Sequence, residues 1–295
     1  MKVSKSPSHQ IIKLNVKTSM RILVLTAISV ASFGICASPN KKTEKDIELV
    51  ISSDLETSIR SHNLTRSTSD VIINLGQVFS IKNKGDFGKI HLIDQSVAFD
   101  WTGDGLLAAV MTGSARVGAN SGMAKVKSLC GLVTLLSESS SDAAQNTSSA
   151  VQAGNGALFF GFSLNTKSSY KARVVNFSTN SENICSPKAS ESFTFQALRE
   201  ENRRTEVNRI FSSKFEEINL QATCSVGQAS LPASGIHASI RGEYLPVTCV
   251  YTENGKQNRT EDLAFLVSSG IYIAINSKTK YQTNAIRYEA VEYKE

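Results

Sequence analysis

From residue 70 onward the chain alternates between apolar and polar positions with a period near two. Segments 71–75, 77–82, 89–99, 106–111 and 124–129 are rich in β-branched and apolar residues, and Gly, Asn, Asp and Ser bound them. Such segments predict strands. Residues 132–136 continue the pattern past Gly131, and it resumes at 157–164, 170–178 and 192–196. A last group covers 217–224, 236–240, 244–251, 263–267, 271–275 and 286–293. Asn254-Gly255 marks a tight hairpin turn, although joining 244–251 to 263–267 through it leaves a longer loop. The predicted fold is mostly β: antiparallel sandwich or barrel-like units with one or two short helices, stapled by two disulfides.

Three stretches break the alternation. In 44–60, Ile47, Ile51, Leu55 and Ile59 recur every four residues, which predicts a helix, and 61–69 is a polar loop. Residues 137–156 are dominated by Ser, Ala, Asn and Gln and predict an exposed loop. Residues 197–211 are charge-dense. Glu200 and Glu201 stand three and four positions before Arg203 and Arg204, spacing that favours a helix. The implied organisation is a helix and loop over 38–69, a β-rich unit over 70–200, a charged linker or helix over 201–211, and a second β-rich unit over 212–295.

The first 37 residues read as a secretory signal. Met20-Arg21 precedes an uncharged, mostly apolar run from Ile22 to Ala37, too short for a membrane span. Met20 is a second candidate start, and the cleavage site is ambiguous. A lipid anchor at Cys36 is disfavoured because Ile35 is not small. The signal segment holds five basic and no acidic side chains, so the remainder carries 27 against 26. With so little net charge left, no nucleic-acid partner and no stable membrane insertion are expected. The expected location is the periplasm or extracellular space.

Cys130, Cys185, Cys224 and Cys249 form an even set in an oxidising context, and local order favours Cys130–Cys185 with Cys224–Cys249. Their spacing fits neither a zinc site nor a thioredoxin-like pair. No nucleophile elbow, phosphate-binding loop or dinucleotide fingerprint occurs, and no cofactor or metal is expected. The weak catalytic candidates are His91, Asp94, Asp100 and Asp104, the last two in a glycine-rich string that reads first as a turn. The resulting expectation is an extracytoplasmic, disulfide-bonded binding or interaction protein, with an unknown protein or glycan partner. The alternatives are a secreted hydrolase with a spatially assembled site, or a surface adhesin whose strand at 286–293 is open to strand exchange.

Overall fold

The computed structural model describes residues 50–61, 72–84, 90–101, 106–115, 119–153 and 156–294. The signal segment and Ile47 lie outside the described residues. Among the described residues one helix, α1 (Ser53–Ser61), precedes thirteen strands. These are β1 (Ile72–Asn83), β2 (Ile90–Trp101), β3 (Leu107–Ala115), β4 (Ala119–Leu129), β5 (Val133–Ala153), β6 (Gly156–Thr179) and β7 (Ser192–Val207). Then come β8 (Ile210–Val226), β9 (Leu231–Pro232), β10 (Glu243–Glu253), β11 (Lys256–Leu266), β12 (Ile271–Thr279) and β13 (Gln282–Tyr293). Consecutive strands pair antiparallel, β8 continues to β10, and β13 returns to β1, which closes a 12-strand barrel. The two-residue β9 pairs with the start of β10 outside that circuit.

The architecture is a barrel rather than a sandwich, and it is one sheet rather than two units. Strands from both sides of the expected linker over 201–211 pair directly, because β7 and β8 form a hairpin within it. The expected helix over 201–211 is corrected here. Asn208 and Arg209 both take positive φ and make the two-residue turn between Val207 and Ile210. The charges suited to a helix surface serve a strand instead: Arg199, Glu201 and Arg203 are two apart, so they share one face.

The expected loop over 137–156 is also corrected. Residues 137–153 belong to β5, which pairs with β4 up to Ala144 and with β6 from Leu136 to Ala153; 154 and 155 lie outside the described residues, and Gly156 opens β6. Ser137, Ser139 and Ser141 are buried on the inward face. Residues 236–240, expected as a strand, lie in an excursion between β8 and β10 that contains a single 3₁₀ turn at Ala233–Gly235. Asn254-Gly255 does form a two-residue turn, because β10 and β11 run on to Glu253 and Lys256.

The lower lumen is a packed core. Phe193, Phe195, Ala222, Cys224, Cys249 and Tyr251 face inward and meet Leu55 and Ile59 of α1. Ser52 starts this helix by accepting the Leu55 N–H at its Oγ. Both expected disulfides form: Cys130–Cys185 ties the β4–β5 turn to the β6–β7 loop, and Cys224–Cys249 links directly opposed residues of β8 and β10. Tyr272 of β12 reaches this plug from the opposite wall. Its N–H donates to Cys130 O at 2.8 Å, and its hydroxyl donates to Ile184 O at 2.6 Å.

The lower ends of β11 and β12 are buried on both faces. Leu263, Phe265 and Tyr272 face the core below the disulfides. Ala264, Leu266, Ile271 and Ile273 face a second cluster made by Ile72, Val97, Leu107, Met111, Ile240 and Tyr288. β12 therefore leaves β13 below Asn276, and the two pair only across 276–278 and 283–285. The Tyr288 hydroxyl bridges the gap by donating to Ala274 O at 2.7 Å.

The turn at Gly131 gives a clean steric test. Gly131 and Gly255 have similar φ values, +80° and +76°, but a Cβ at Gly131 would lie 2.7 Å from Tyr272 O while one at Gly255 meets nothing. Gly255→Ala should cost about 1 kcal/mol of backbone strain in urea unfolding. Gly131→Ala should cost at least about 2 kcal/mol more, because the plug must shift away from Tyr272. Equal losses would show that the plug does not press on β12.

Candidate functional site

The most charged interior feature is a cluster on the inward face of β7. Glu201 is 1 % exposed, and its carboxylate lies 2.5 Å from Arg199 Nη2 and 2.7 Å from Arg203 Nη2. Arg199 also reaches Glu253 of β10 at 3.2 Å. Next to them Arg259 pairs with Glu261 at 2.9 Å and lies 4.0 Å above the Tyr251 ring. Burial alone would raise the Glu201 pKa, but the guanidiniums of Arg199 and Arg203 outweigh it and hold the carboxyl below its ordinary value. Burial raises Tyr170, and the Glu201 charge adds to that. Burial alone would lower Arg199, yet Tyr170, Glu201 and Glu253 keep it raised and charged. Arg199 and Arg203 balance Glu201 and Glu253 in number. This is a self-neutralised structural network, not a poised acid or base.

The weak catalytic candidates do not converge. Asp94 and Asp100 lie on the same face of β2 but six residues apart, about 20 Å at strand rise, too far to act on one bond. His91 is a β2 residue paired with Ile81 in the sheet, and Asp104 lies outside the described residues. His237 Nδ1 accepts the Ser239 N–H at 3.2 Å. Among the described residues no group of three or more His, Cys, Asp or Glu side chains could hold a metal ion. Cys130, Cys185, Cys224 and Cys249 are all in disulfides, and Cys36 lies outside the described residues.

Two features of the outer wall, neither visible in the sequence, form concave sites. The larger is a trough of about 640 Å³ running across β1 to β5. Its floor is the backbone of one cross-strand row: Gln77, Gln95, Gly113, Gly122 and Ser141. Its walls are the outward residues on either side of that row, among them Asp94, Ser96, Thr112, Met123, Ser140 and Asp142. The row explains the trough. Gly113 and Gly122 put no side chain into the lumen and Ser141 a short one, so the wall can dent inward there. The Gln77 Nε2 donates to Gln95 Oε1 across the inner side of the dent. The lining contains three carboxylates, Asp94, Asp142 and Glu289, and no Lys or Arg.

The smaller site, about 250 Å³, lies on the outer face of β6, β7, β8 and β10. Here the cross-strand rows are Gln196–Gln221–Thr252 and Thr194–Thr223–Val250, with Ser192–Ser225–Thr248 below them. Ser178 lies beside Gln196, and Asn176 and Asn219 flank Leu198. No charged residue occurs in these rows on the four strands; they are bounded by the row Arg173–Glu200–Glu217 above and by Asp262 of β11, which stands opposite Thr248 and accepts a hydrogen bond from its hydroxyl at 3.0 Å.

No protein-family model and no curated protein matches the chain. A crystal structure of a beta-barrel-like protein of a domain of unknown function, DUF1849, from Brucella abortus is similar over 78% of this chain and all of its own, with a TM-score of 0.38 and 6% identity. That likeness is too low to carry any argument. Among the described residues no helix is long and apolar enough to cross a membrane.

The Glu201 network sets a pH dependence. A carboxyl held below its ordinary value of 4.5 adds stability that is complete above that pH and lost as the pH falls through its lowered folded value. Glu201→Gln should therefore cost about 3 kcal/mol at pH 7, by leaving Arg199 and Arg203 buried without their counter-charge. The gap between wild type and variant should narrow below pH 4.5. Urea midpoints measured from pH 7 to 3 check this, and a constant gap would show that Glu201 does not carry the network.

Proposed function

We propose that this chain is a non-enzymatic binding protein of the periplasm or extracellular space, and that the trough across β1–β5 receives a basic, extended segment of a partner polypeptide. The observation that carries the reading is the trough itself. It is a preformed, acidic and hydroxyl-lined depression about 19 Å long, taking four strand spacings between β1 and β5. Glu289 is paired with Arg287, and Asp142 stands opposite Lys167 at the margin, but the lining itself contributes carboxylates and no Lys or Arg, which favours a positively charged segment and makes the attraction salt-sensitive. Met123, 44 % exposed at the centre of the lining, offers an adaptable apolar contact. Two disulfides and an apolar leader at residues 22–37 support the extracytoplasmic location.

The rival readings draw less support. A hydrolase needs groups that meet, and Asp94 and Asp100 are held apart by their own strand. An adhesin that works by strand exchange needs an open terminal edge. β13 pairs with β1 along its length and with β12 at its start, and Tyr293 is held near its end by the Arg241 N–H and guanidinium.

A photo-crosslinking residue at Met123 should capture a defined partner in the exported protein, while one at the exposed Lys278 on β12 should not. The double change Asp94→Lys, Asp142→Lys should weaken that capture about tenfold and remove its salt dependence. Equal capture at both positions, or capture indifferent to charge reversal, would reject the trough as the binding site. Recovery of the protein in the cytoplasm with Cys130, Cys185, Cys224 and Cys249 all as free thiols would reject the location.

A further inference from the structure

We infer that the uncharged face of β6, β7, β8 and β10 is a second, independent binding site, and that its ligand is a neutral oligosaccharide. The thirteen outward positions in its rows, spread over four strands, include no Asp, Glu, Lys or Arg. An ordinary surface of that size would carry about three or four, since charged residues make up roughly a quarter to a third of protein surfaces. The gap is local, because the chain as a whole is 20% charged, the next row up is Arg173–Glu200–Glu217, and Asp262 of β11 borders the lowest row opposite Thr248.

What replaces charge is hydrogen-bonding capacity in both directions. Asn176, Gln196 and Gln221 each present an amide donor and an acceptor carbonyl, and Ser178 adds a hydroxyl. None of these four side chains makes a hydrogen bond within the protein. They stand on paired strands in fixed register, so the array is held in place by the sheet beneath it. Leu198 lies in the middle of the groove and provides an apolar contact for the C–H face of a sugar ring.

The chemistry selects the ligand class. An anionic or cationic polymer would gain no ion pair here and would lose hydration. A neutral sugar presents vicinal hydroxyls, each both donor and acceptor, which match an amide's N–H and C=O. The volume of about 250 Å³ accommodates one or two sugar rings, so a longer chain would cross the face and use the threonine rows beyond the groove.

The test titrates the disulfide-intact protein with cellohexaose, maltohexaose and chitohexaose, with a hexauronate as charged control and a Ser/Gln peptide as neutral polypeptide control. Amide chemical shifts are read by NMR. At least one neutral hexasaccharide should shift signals at 176–178, 196–198 and 219–221 with a Kd of about 1 mM or tighter. Gln196→Glu with Gln221→Glu keeps the shape, replaces amide donors with charge, and should weaken binding about tenfold at unchanged thermal midpoint. The trough variant Asp94→Lys, Asp142→Lys should bind the sugar as wild type does, so the two sites fail or stand separately. No shift with any neutral sugar, tighter binding of the hexauronate, or shifts with the peptide alone would each overturn the assignment.

Discussion

The barrel depends on the burial of one hairpin from both sides. The lower halves of β11 and β12 are not wall in the usual sense, since Leu263 and Phe265 face one core and Ala264 and Leu266 the other. A strand buried on both faces cannot alternate polar with apolar, and β11 accordingly ends in four consecutive buried residues. This partition divides an interior too wide for side chains to fill from one wall alone. It also fixes the plug, because Tyr272 holds both loops of the Cys130–Cys185 crosslink from the far side. The splayed β12–β13 seam follows from the same cause: β12 cannot stay beside β13 and also enter the lumen.

Above the apolar floor the lumen changes character, and the Arg–Glu network on β7 marks the change. Such groups are costly to bury singly, and they are tolerated here because each charge faces an opposite one at contact distance. The same strand carries Leu198 and Gln196 on its outer face, within the neutral groove. One strand therefore builds a sealed interior and a solvent-facing surface of contrasting chemistry, as the period of two permits.

Much of the fold was legible because its signals are local. The strands announced themselves through alternation, and the disulfides join the cysteines adjacent in sequence. Where reading failed, the missing information was the partner strand. Ser137, Ser139 and Ser141 look like linker residues in isolation, yet they are the small inward residues a dented wall requires. Glu200, Glu201, Arg203 and Arg204 have helical spacing, but their pairing with β6 and β8 makes Arg199–Glu201–Arg203 a strand face. Neither outer site could have been found from sequence, since each row takes one residue from each of several strands. Asp94 alone was both suspected and found in a concave lining, where its surroundings suit the binding role proposed above better than the catalytic one first considered.

The circuit closes where β1 meets β13, with Ile72 opposite Tyr293. That pairing spans nearly the whole described chain, so its loop-closure entropy is met last and all at once. Until the final strand is available, β1 has one open edge and the second core lacks Tyr288. A chain delivered from its N-terminus would wait in that open form, with β1 as an unpaired edge. High contact order of this kind slows folding and leaves time for association with other chains. The constraint that makes the finished barrel self-contained thus makes its assembly the stage at which it is most exposed.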